Sequence, residues 1–180
     1  MRIISGSRRG HKLFEFEGND IRPTTDRVKE SIFNIISPFI ADADVLDLFC
    51  GSGALSLEAL SRGANSAVCV DTDKRSIDLA KKNTSSVRFD DIVNFVNTDA
   101  MSYLNGTKSQ FDVIFLDPPY NKGFIAPIIG KIVENNILSD DGIIMLESDS
   151  TDEHSEFSGL KIYRQRKYGR TYVTIYQKCV

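Results

Sequence analysis

Four consecutive residues, Asp117-Pro118-Pro119-Tyr120, follow directly after the apolar run 111–116. Proline has no N–H to donate and cannot continue a central strand, so a strand that reaches this point must end in a rigid turn. The turn would hold the Asp117 carboxylate and the Pro118 carbonyl as paired acceptors for both hydrogens of a planar amino group. Tyr120 would stack on the ring that bears this group. The alternative is a proline turn that only caps the strand, with a packed tyrosine.

This arrangement suits methyl transfer to nitrogen. The lone pair of a nucleobase amine is delocalised into the ring, and positive charge develops on the nitrogen as it attacks a methyl sulfonium. Acceptors that are already aimed at the amine hydrogens stabilise this charge, an effect worth roughly 2–4 kcal/mol per group. The tetrad therefore predicts a catalytic loop that acts on an exocyclic amino group of a base.

A second motif, Asp47-Leu48-Phe49-Cys50-Gly51-Ser52-Gly53-Ala54, lies between a predicted strand and a predicted helix. Its glycines permit a tight turn and a close backbone approach by a ligand. A nicotinamide dinucleotide would require Gly or Ala where Ser56 stands. Asp71, about 20 residues further on, suits a ribose diol in either kind of cofactor. A glycine turn with a buried aspartate that caps the next helix remains an alternative.

The elements around these motifs alternate in type. Apolar runs predict strands over 45–49, 66–71, 92–96, 111–116 and 143–146, and amphipathic patterns predict helices over 54–62, 74–83 and 124–136. The last 20 residues predict two strands joined at Gly169-Arg170. We therefore expect an α/β fold with a doubly wound, mostly parallel, seven-stranded sheet and an antiparallel edge strand. Asp47, Asp71, Asp99 and Asp117 fall at or near four strand ends, so we expect them to cluster in space.

The N-terminal part predicts an extension to this sheet. Residues 13–17 alternate like a strand that runs into the turn-like Gly18-Asn19-Asp20, which indicates a hairpin or arm. Thr24 or Thr25 can cap a following helix whose apolar stripe ends near Pro38. We expect one methyltransferase domain over residues 1–180, in which residues 1–25 form a basic substrate-binding arm.

Charge is distributed unevenly along the chain, whose net charge is -3. Residues 1–13 hold four basic residues and residues 160–180 hold six, and neither segment contains an acid. Such a molecule can present basic surfaces to phosphates although its pI is about 5.4. Ordinary solvated charge is the alternative. The residues expected to contact RNA phosphates are Arg8, Arg9, Lys12, Arg166, Lys167 and Arg170.

Other classes of protein and site are disfavoured. No apolar run approaches the roughly 20 residues needed to cross a bilayer, and no signal peptide is evident, so we expect a cytoplasmic protein without membrane contact. The three cysteines are odd in number and widely spaced, which predicts thiols rather than disulfides or a zinc site. His11 and His154 lie far apart in the sequence, and we expect no metal.

The glycine turn, Asp71, Asp99 and the Asp-Pro-Pro-Tyr tetrad resemble the amino-methyltransferases among the Rossmann-like S-adenosylmethionine enzymes. Over nearly the whole chain, the sequence further resembles the RsmD-type family of bacterial 16S rRNA guanine-N2 methyltransferases. Ser5 and Cys50 stand where we expect a small residue such as Ala or Gly. The segments that carry the likeness are Arg2-Ile3-Ile4-Ser5-Gly6, Arg9-Gly10, Lys12-Leu13, Arg22-Pro23-Thr24-Thr25-Asp26-Arg27-Val28-Lys29-Glu30, Phe33-Asn34, Asp47-Leu48-Phe49, Leu60-Ser61-Arg62-Gly63-Ala64 and Tyr168-Gly169.

This resemblance implies a monomeric enzyme that binds S-adenosylmethionine and methylates 16S rRNA, free or within the small ribosomal particle. It implies that Asp47 lies near the amino group of the cofactor, that Gly51 and Gly53 admit its methionine end, and that Asp71 binds the ribose. The residues implied to surround the cofactor are Arg22, Pro23, Thr24, Asp47, Phe49, Gly51, Gly53, Asp71, Thr72, Asp99 and Ala100.

Two other functions stay open at this point. The first keeps the chemistry but changes the acceptor to adenine N6 in DNA or RNA, or to a glutamine side chain; those relatives commonly add a domain for which 180 residues leave little room. The second is a cofactor-binding ribosome assembly factor without catalysis. The intact tetrad argues against it, because a binding protein has no use for paired acceptors beside a methyl donor.

Overall fold

The computed structural model describes residues 1–17, 25–119, 123–149 and 156–179. Five α-helices, two short 3-10 helices and seven strands make up its regular structure in these ranges. The helices are α1 (Asp26–Ile36), α2 (Ala54–Ser61), α3 (Lys74–Val87), α4 (Ala100–Gly106) and α5 (Ile125–Glu134). The strands are β1 (Asp44–Asp47), β2 (Ser66–Asp71), β3 (Val93–Asn97), β4 (Phe111–Leu116), β5 (Leu138–Ser148), β6 (Leu160–Tyr168) and β7 (Thr171–Lys178).

The strands form one sheet in the order β3-β2-β1-β4-β5-β7-β6. Strands β1 to β5 pair in parallel, whereas β7 is antiparallel to both β5 and β6. The predicted doubly wound, mostly parallel sheet with an antiparallel edge is confirmed. Strand β4 is the middle one of the seven, so the loop that follows it lies at the centre of the carboxyl edge.

Both faces of the sheet are covered, which explains why its strands are apolar without interruption. On one face, Val45, Phe115 and Met145 pack in a core shared with α1, α2 and α3. On the other face, Leu46 and Ile144 belong to a core shared with α4 and α5. Because side chains alternate along a strand, odd-numbered positions face α1 to α3 from 45 in β1, 113 in β4 and 143 in β5 onward.

Helix α1 begins as its sequence predicts. The Thr25 hydroxyl accepts a hydrogen bond from the Val28 amide at 3.3 Å and caps the helix, while Asp26 in the first turn suits the positive end of the helix dipole. The helix ends at Ile36, and Pro38 lies in the short 3-10 turn that follows. Thr24, the other predicted cap, lies outside the described residues.

Several boundaries differ from the prediction. Residues 13–17 form no strand. The backbone amide and carbonyl of Phe14 instead form hydrogen bonds with the Asn83 side chain of α3. Arg2 and Lys12 form an isolated antiparallel bridge. Helix α3 continues to Val87, four residues beyond its predicted end at 83. Helix α4 was not predicted, because only Ala100 and Leu104 of its seven residues are buried and they form no clear apolar stripe. The predicted turn at residues 18–20 lies outside the described residues.

In the part of the chain that the structure describes, no helix combines the length and the apolar character that crossing a bilayer requires. Within those same ranges, no three His, Cys, Asp or Glu side chains are grouped so that they could hold a metal ion. Cys50 and Cys69 are buried free thiols, and Cys179 is an exposed one.

Candidate functional site

The four aspartates lie at the carboxyl edge of the sheet, as the sequence predicts. Asp47 is the last residue of β1 and Asp71 is the last of β2. Asp99 caps α4 just after β3, and Asp117 follows β4 directly. Since these four strands are neighbours in the order β3-β2-β1-β4, the four carboxylates form one row.

Asp47 is the most buried member of this row, with 1% of its surface exposed. Its Oδ2 accepts a hydrogen bond from the Ser56 hydroxyl at 2.9 Å, whereas its Oδ1 is buried without a hydrogen-bond partner among the described residues. Burial raises the pKa of Asp47 to about 7; the negative charge of Asp71 adds to this, and the Ser56 hydrogen bond opposes it. An orphaned carboxylate oxygen is costly and fits a ligand that brings a cationic amino group to it.

The glycine turn is tied to β2 by Asp71. The Gly51 amide donates to Asp71 Oδ2 at 2.9 Å, and the Asp73 amide donates to Oδ1 at 2.9 Å. Gly51 and Gly53 have φ angles of 51° and 79°, in the left-handed region that favours glycine. A Cβ on Gly53 would lie 3.3 Å from the Ala80 Cβ, so glycine also lets α2 start close against α3. The carboxylate of Asp71 keeps further lone pairs for a ribose diol.

Asp99 lies at the far end of the row, beside β3. The exposed Asp99 carboxylate accepts hydrogen bonds from the Ser102 amide at 2.8 Å and the Ser102 hydroxyl at 2.6 Å, and these bonds lower its pKa. Ala100 is buried in the first turn of α4, Thr72 is exposed just after β2, and Phe49 is partly buried after β1. Thus Thr72, Asp99 and Ala100 lie on the same side of β1 as Asp71.

Asp117 lies at the centre of the sheet edge. Pro118 is buried and Pro119 is exposed. Burial, followed by the negative charges of Glu147 and Asp47, raises the pKa of Asp117 well above its usual range. A carboxylate with a raised pKa accepts protons more readily than an ordinary aspartate does.

Sequence reasoning missed Glu147. Leu116 and Leu146 are paired in the register of β4 and β5, so the next residue of each strand brings Asp117 and Glu147 side by side. Glu147, within β5, continues the odd-numbered alternation toward α1 to α3. Glu147 is 6% exposed and makes contacts of its own. An acid directly after the apolar run 143–146 was the signal that could have identified it.

Several predicted site residues cannot be placed. Arg22, Pro23, Thr24 and Tyr120 lie outside the described residues, and so does His154. Their roles stay predictions.

The predicted basic arm packs on α2 and α3. Buried Glu58 of α2 accepts hydrogen bonds from the Ile4 amide at 2.8 Å and the Ser5 amide at 3.1 Å. The Arg8 guanidinium donates to the Val87 carbonyl at 2.7 Å and lies 4.9 Å from the Phe89 ring centroid, so part of its bonding capacity serves the fold. Arg9 and Lys12 are exposed.

The second predicted basic group lies on the other side of β4. Arg166, Lys167 and Arg170 are exposed on the hairpin of β6 and β7. Because β7 runs antiparallel to β5, the turn of this hairpin lies at the same edge as Asp117 and Glu147. The Lys167 ammonium is 5.0 Å from the Tyr172 ring centroid. The two basic segments therefore lie on opposite sides of the central loop.

Comparison with known proteins agrees with this geometry. The family described as Conserved hypothetical protein 95 matches residues 1–177. The chain is 35% identical over 179 residues to ribosomal RNA small subunit methyltransferase D of Escherichia coli (strain K12), covering 99% of this chain and 90% of that protein. It is 37% identical over 152 residues to the protein of that name from Haemophilus influenzae, covering 83% of this chain and 79% of that one.

A solved structure of the Escherichia coli protein yhhF superposes with a TM-score of 0.89 at 36% identity. The match covers 99% of this chain and 97% of that one. The resemblance drawn from the sequence motifs is thereby confirmed: the chain belongs to the Conserved hypothetical protein 95 family, the family of ribosomal RNA small subunit methyltransferase D.

Proposed function

We propose that this chain is an S-adenosylmethionine-dependent methyltransferase, acting as one domain, that methylates the exocyclic N2 of a guanine in 16S rRNA of the small ribosomal subunit. The observation that carries the proposal is the Asp117-Pro118 turn at the centre of the sheet edge, with Glu147 beside it. The names of the Escherichia coli and Haemophilus influenzae relatives support the substrate class.

The row of acids supports the choice of cofactor. Asp47 would pair with the cofactor's amino group, Gly51 and Gly53 would admit its methionine end, and Asp71 would bind the ribose hydroxyls. Thr72, Asp99 and Ala100 would lie toward the adenine. S-adenosylmethionine supplies an activated methyl group on a sulfonium sulfur, and this chemistry needs no metal. The proton lost from the methylated amine can be taken by Asp117, whose pKa is raised.

The pair Asp117 and Glu147 favours guanine over adenine. The Watson–Crick edge of guanine presents N1–H and two N2 hydrogens, three donors in a row. We propose that the Asp117 carboxylate, the Pro118 carbonyl and a remaining lone pair of the Glu147 carboxylate, which also has a contact of its own, accept hydrogen bonds from these donors. Adenine has a lone pair at N1, which a carboxylate would repel, so the same site discriminates against it. The proposed acceptors therefore favour N2 of guanine over N6 of adenine as the site of methylation.

The test is nucleoside mass spectrometry of 16S rRNA from a strain that lacks the protein. We expect one N2-methylguanosine to disappear, to return with the wild-type chain, and to stay absent with Asp117→Ala. Loss of an N6-methyladenosine instead would overturn the assignment of the acceptor. Unchanged 16S rRNA would overturn the substrate.

A further inference from the structure

A group of exposed cations runs along α3 and extends the basic arm, to which Arg9 and Lys12 already belong. We call it the α3 strip. Every member is exposed, and within the described ranges none forms an ion pair with a carboxylate. The members are Arg9, Lys12, Lys81, Lys82 and Arg88.

The strip is held in place by the docking of residues 8–14. Arg8 bonds to Val87 near the end of α3, and Phe14 bonds to Asn83 one turn earlier, so this segment runs alongside the second half of the helix. The Lys82 ammonium lies 3.8 Å from the ring centroid of Phe14, whose surface is 45% exposed. The Lys81 ammonium lies 5.8 Å from the Phe95 ring centroid. Aromatic faces therefore restrain both ammonium groups.

The first half of the same helix is different. Lys74 pairs with Asp78 at 2.7 Å, and Arg75 pairs with Asp73 at 2.8 Å. All four of these side chains are more than one-third exposed, yet each cation there has its own carboxylate. The cations in the second half of α3 thus have no carboxylate within 4.0 Å among the described residues, in a chain whose net charge is -3.

Asn83 links the α3 strip to the glycine turn of the candidate cofactor site. Its side-chain amide donates to the Phe14 carbonyl at 3.0 Å and to the Ser52 carbonyl of the glycine turn at 2.9 Å. The strip therefore begins directly behind the cofactor turn, on the β2 and β3 side of the sheet. The cations of the β6 and β7 hairpin lie on the other side. Seven strands at about 4.8 Å spacing separate the outer edges by roughly 30 Å.

We infer that the α3 strip binds the phosphate backbone of a second segment of the substrate RNA while the β6 and β7 hairpin holds the segment near the target base. The substrate class is then a folded RNA wide enough to reach both sides of β4 at once, not a short single strand. This inference rests on the proposed function, because it takes RNA as the substrate. Restrained lysines beside an exposed aromatic ring suit phosphates with an unstacked base or sugar nearby.

The experiment compares two double variants of one helix that remove the same charge. Lys81→Ala with Lys82→Ala removes strip cations, and Lys74→Ala with Arg75→Ala removes paired cations as a matched control. Binding to protein-free, refolded 16S rRNA and to a short unstructured RNA that carries the target guanine is measured over a range of salt. Melting temperature and S-adenosylhomocysteine affinity confirm that each variant is folded.

We expect the strip variant to bind folded rRNA roughly tenfold more weakly, with a salt slope that is lower by about 2. Its affinity for the short RNA and for S-adenosylhomocysteine should be unchanged, and the control should resemble the wild type. An equal loss of affinity for folded rRNA in the strip variant and the control would overturn the inference. So would a loss of affinity for the short RNA as large as the loss for folded rRNA. Unchanged affinity of the strip variant for folded rRNA would overturn it as well, since the strip would then not bind RNA.

These readouts separate the two proposals. Binding is measured without turnover, so failure of the wild type to transfer methyl groups would contradict the proposed function alone. Unchanged binding of the strip variant to folded rRNA, together with normal methyl transfer by the wild type, would contradict the α3 strip alone.

Discussion

Asp117 and Glu147 lie side by side because Leu116 and Leu146, the residues that precede them, are paired in the register of the two central parallel strands. Burial and the neighbouring charge raise the pKa of Asp117. Two carboxylates this close cannot both ionise without cost, and an array of N–H donors from a base would relieve that cost. The proposed binding of guanine would therefore relieve the repulsion between the two carboxylates.

Removing the charge of Glu147 should change the pH profile of the enzyme. In Glu147→Gln the pKa of Asp117 should fall, because one of the negative charges that raise it is gone. If ionised Asp117 is the active form, the acidic limb of the profile of kcat should move to lower pH. At neutral pH, kcat/KM for rRNA should fall about tenfold or more, since a hydrogen bond to a charged group is lost.

The readout is kcat at saturating rRNA from pH 5 to 9. S-adenosylhomocysteine affinity is the control and should not change. An unaltered acidic limb would show that Glu147 does not act on Asp117.

Asp47 should make the unliganded protein less stable at higher pH. Its pKa is about 7 in the folded chain, above its ordinary value of 3.8, so folding favours the protonated form. The stability that this group contributes is complete below about pH 4 and is lost as the pH rises through 7. Asp47→Asn should remove this part of the pH dependence.

Melting curves at pH 5 and pH 8 check this prediction. The wild type should lose more stability between the two values than Asp47→Asn does, while Asp78→Asn at an exposed site should behave like the wild type. If all three proteins lost the same amount of stability between pH 5 and pH 8, the prediction would be contradicted.

Gly6 fixes the basic arm on α2. Its φ angle is 84°, and a Cβ there would lie 1.7 Å from the Ser61 carbonyl oxygen. Gly10 has almost the same φ, 83°, but a Cβ there would meet no atom within 4 Å. Gly10→Ala should therefore cost only the backbone strain, about 1–2 kcal/mol. Gly6→Ala should cost more and should displace the arm, with a loss of RNA affinity.

Urea unfolding and RNA binding of the two alanine variants make this comparison. Equal destabilisation by both would mean that the contact between Gly6 and Ser61 is not needed to dock the arm.

The positions of the strands and of four acids at the sheet edge could be predicted from the sequence, because the same pattern, an apolar run with an acid at its end, indicates both. A strand buried on both faces is a mostly apolar run, and an acid at its end or directly after it lies at the sheet edge, as Asp47, Asp71 and Asp117 do. Glu147 obeys the same rule. Its importance depends on strand order, which places β5 beside β4 and cannot be read from a local pattern.

The arm shows where local patterns fail. Residues 13–17 alternate like a strand, but the amide side chain of Asn83, 69 positions beyond Phe14, takes the hydrogen bonds that a partner strand would make. Similarly, the two basic ends of the chain are alike in composition. Only the topology shows that one packs on α2 and α3 while the other lies beyond β5.

The central claim is that Asp117 acts on the acceptor amine and not on the methyl donor. Its most direct test is the single-turnover rate of Asp117→Ala with radiolabelled S-adenosylmethionine and saturating folded 16S rRNA. Loss of one charged acceptor in a buried site should cost roughly 2–4 kcal/mol, a fall of about 30-fold to a thousandfold in rate, with cofactor affinity nearly unchanged. Asp117→Asn should be less impaired, since its amide oxygen still accepts one hydrogen bond. A near-wild-type rate in Asp117→Ala would contradict the account and leave the proline turn a structural feature only.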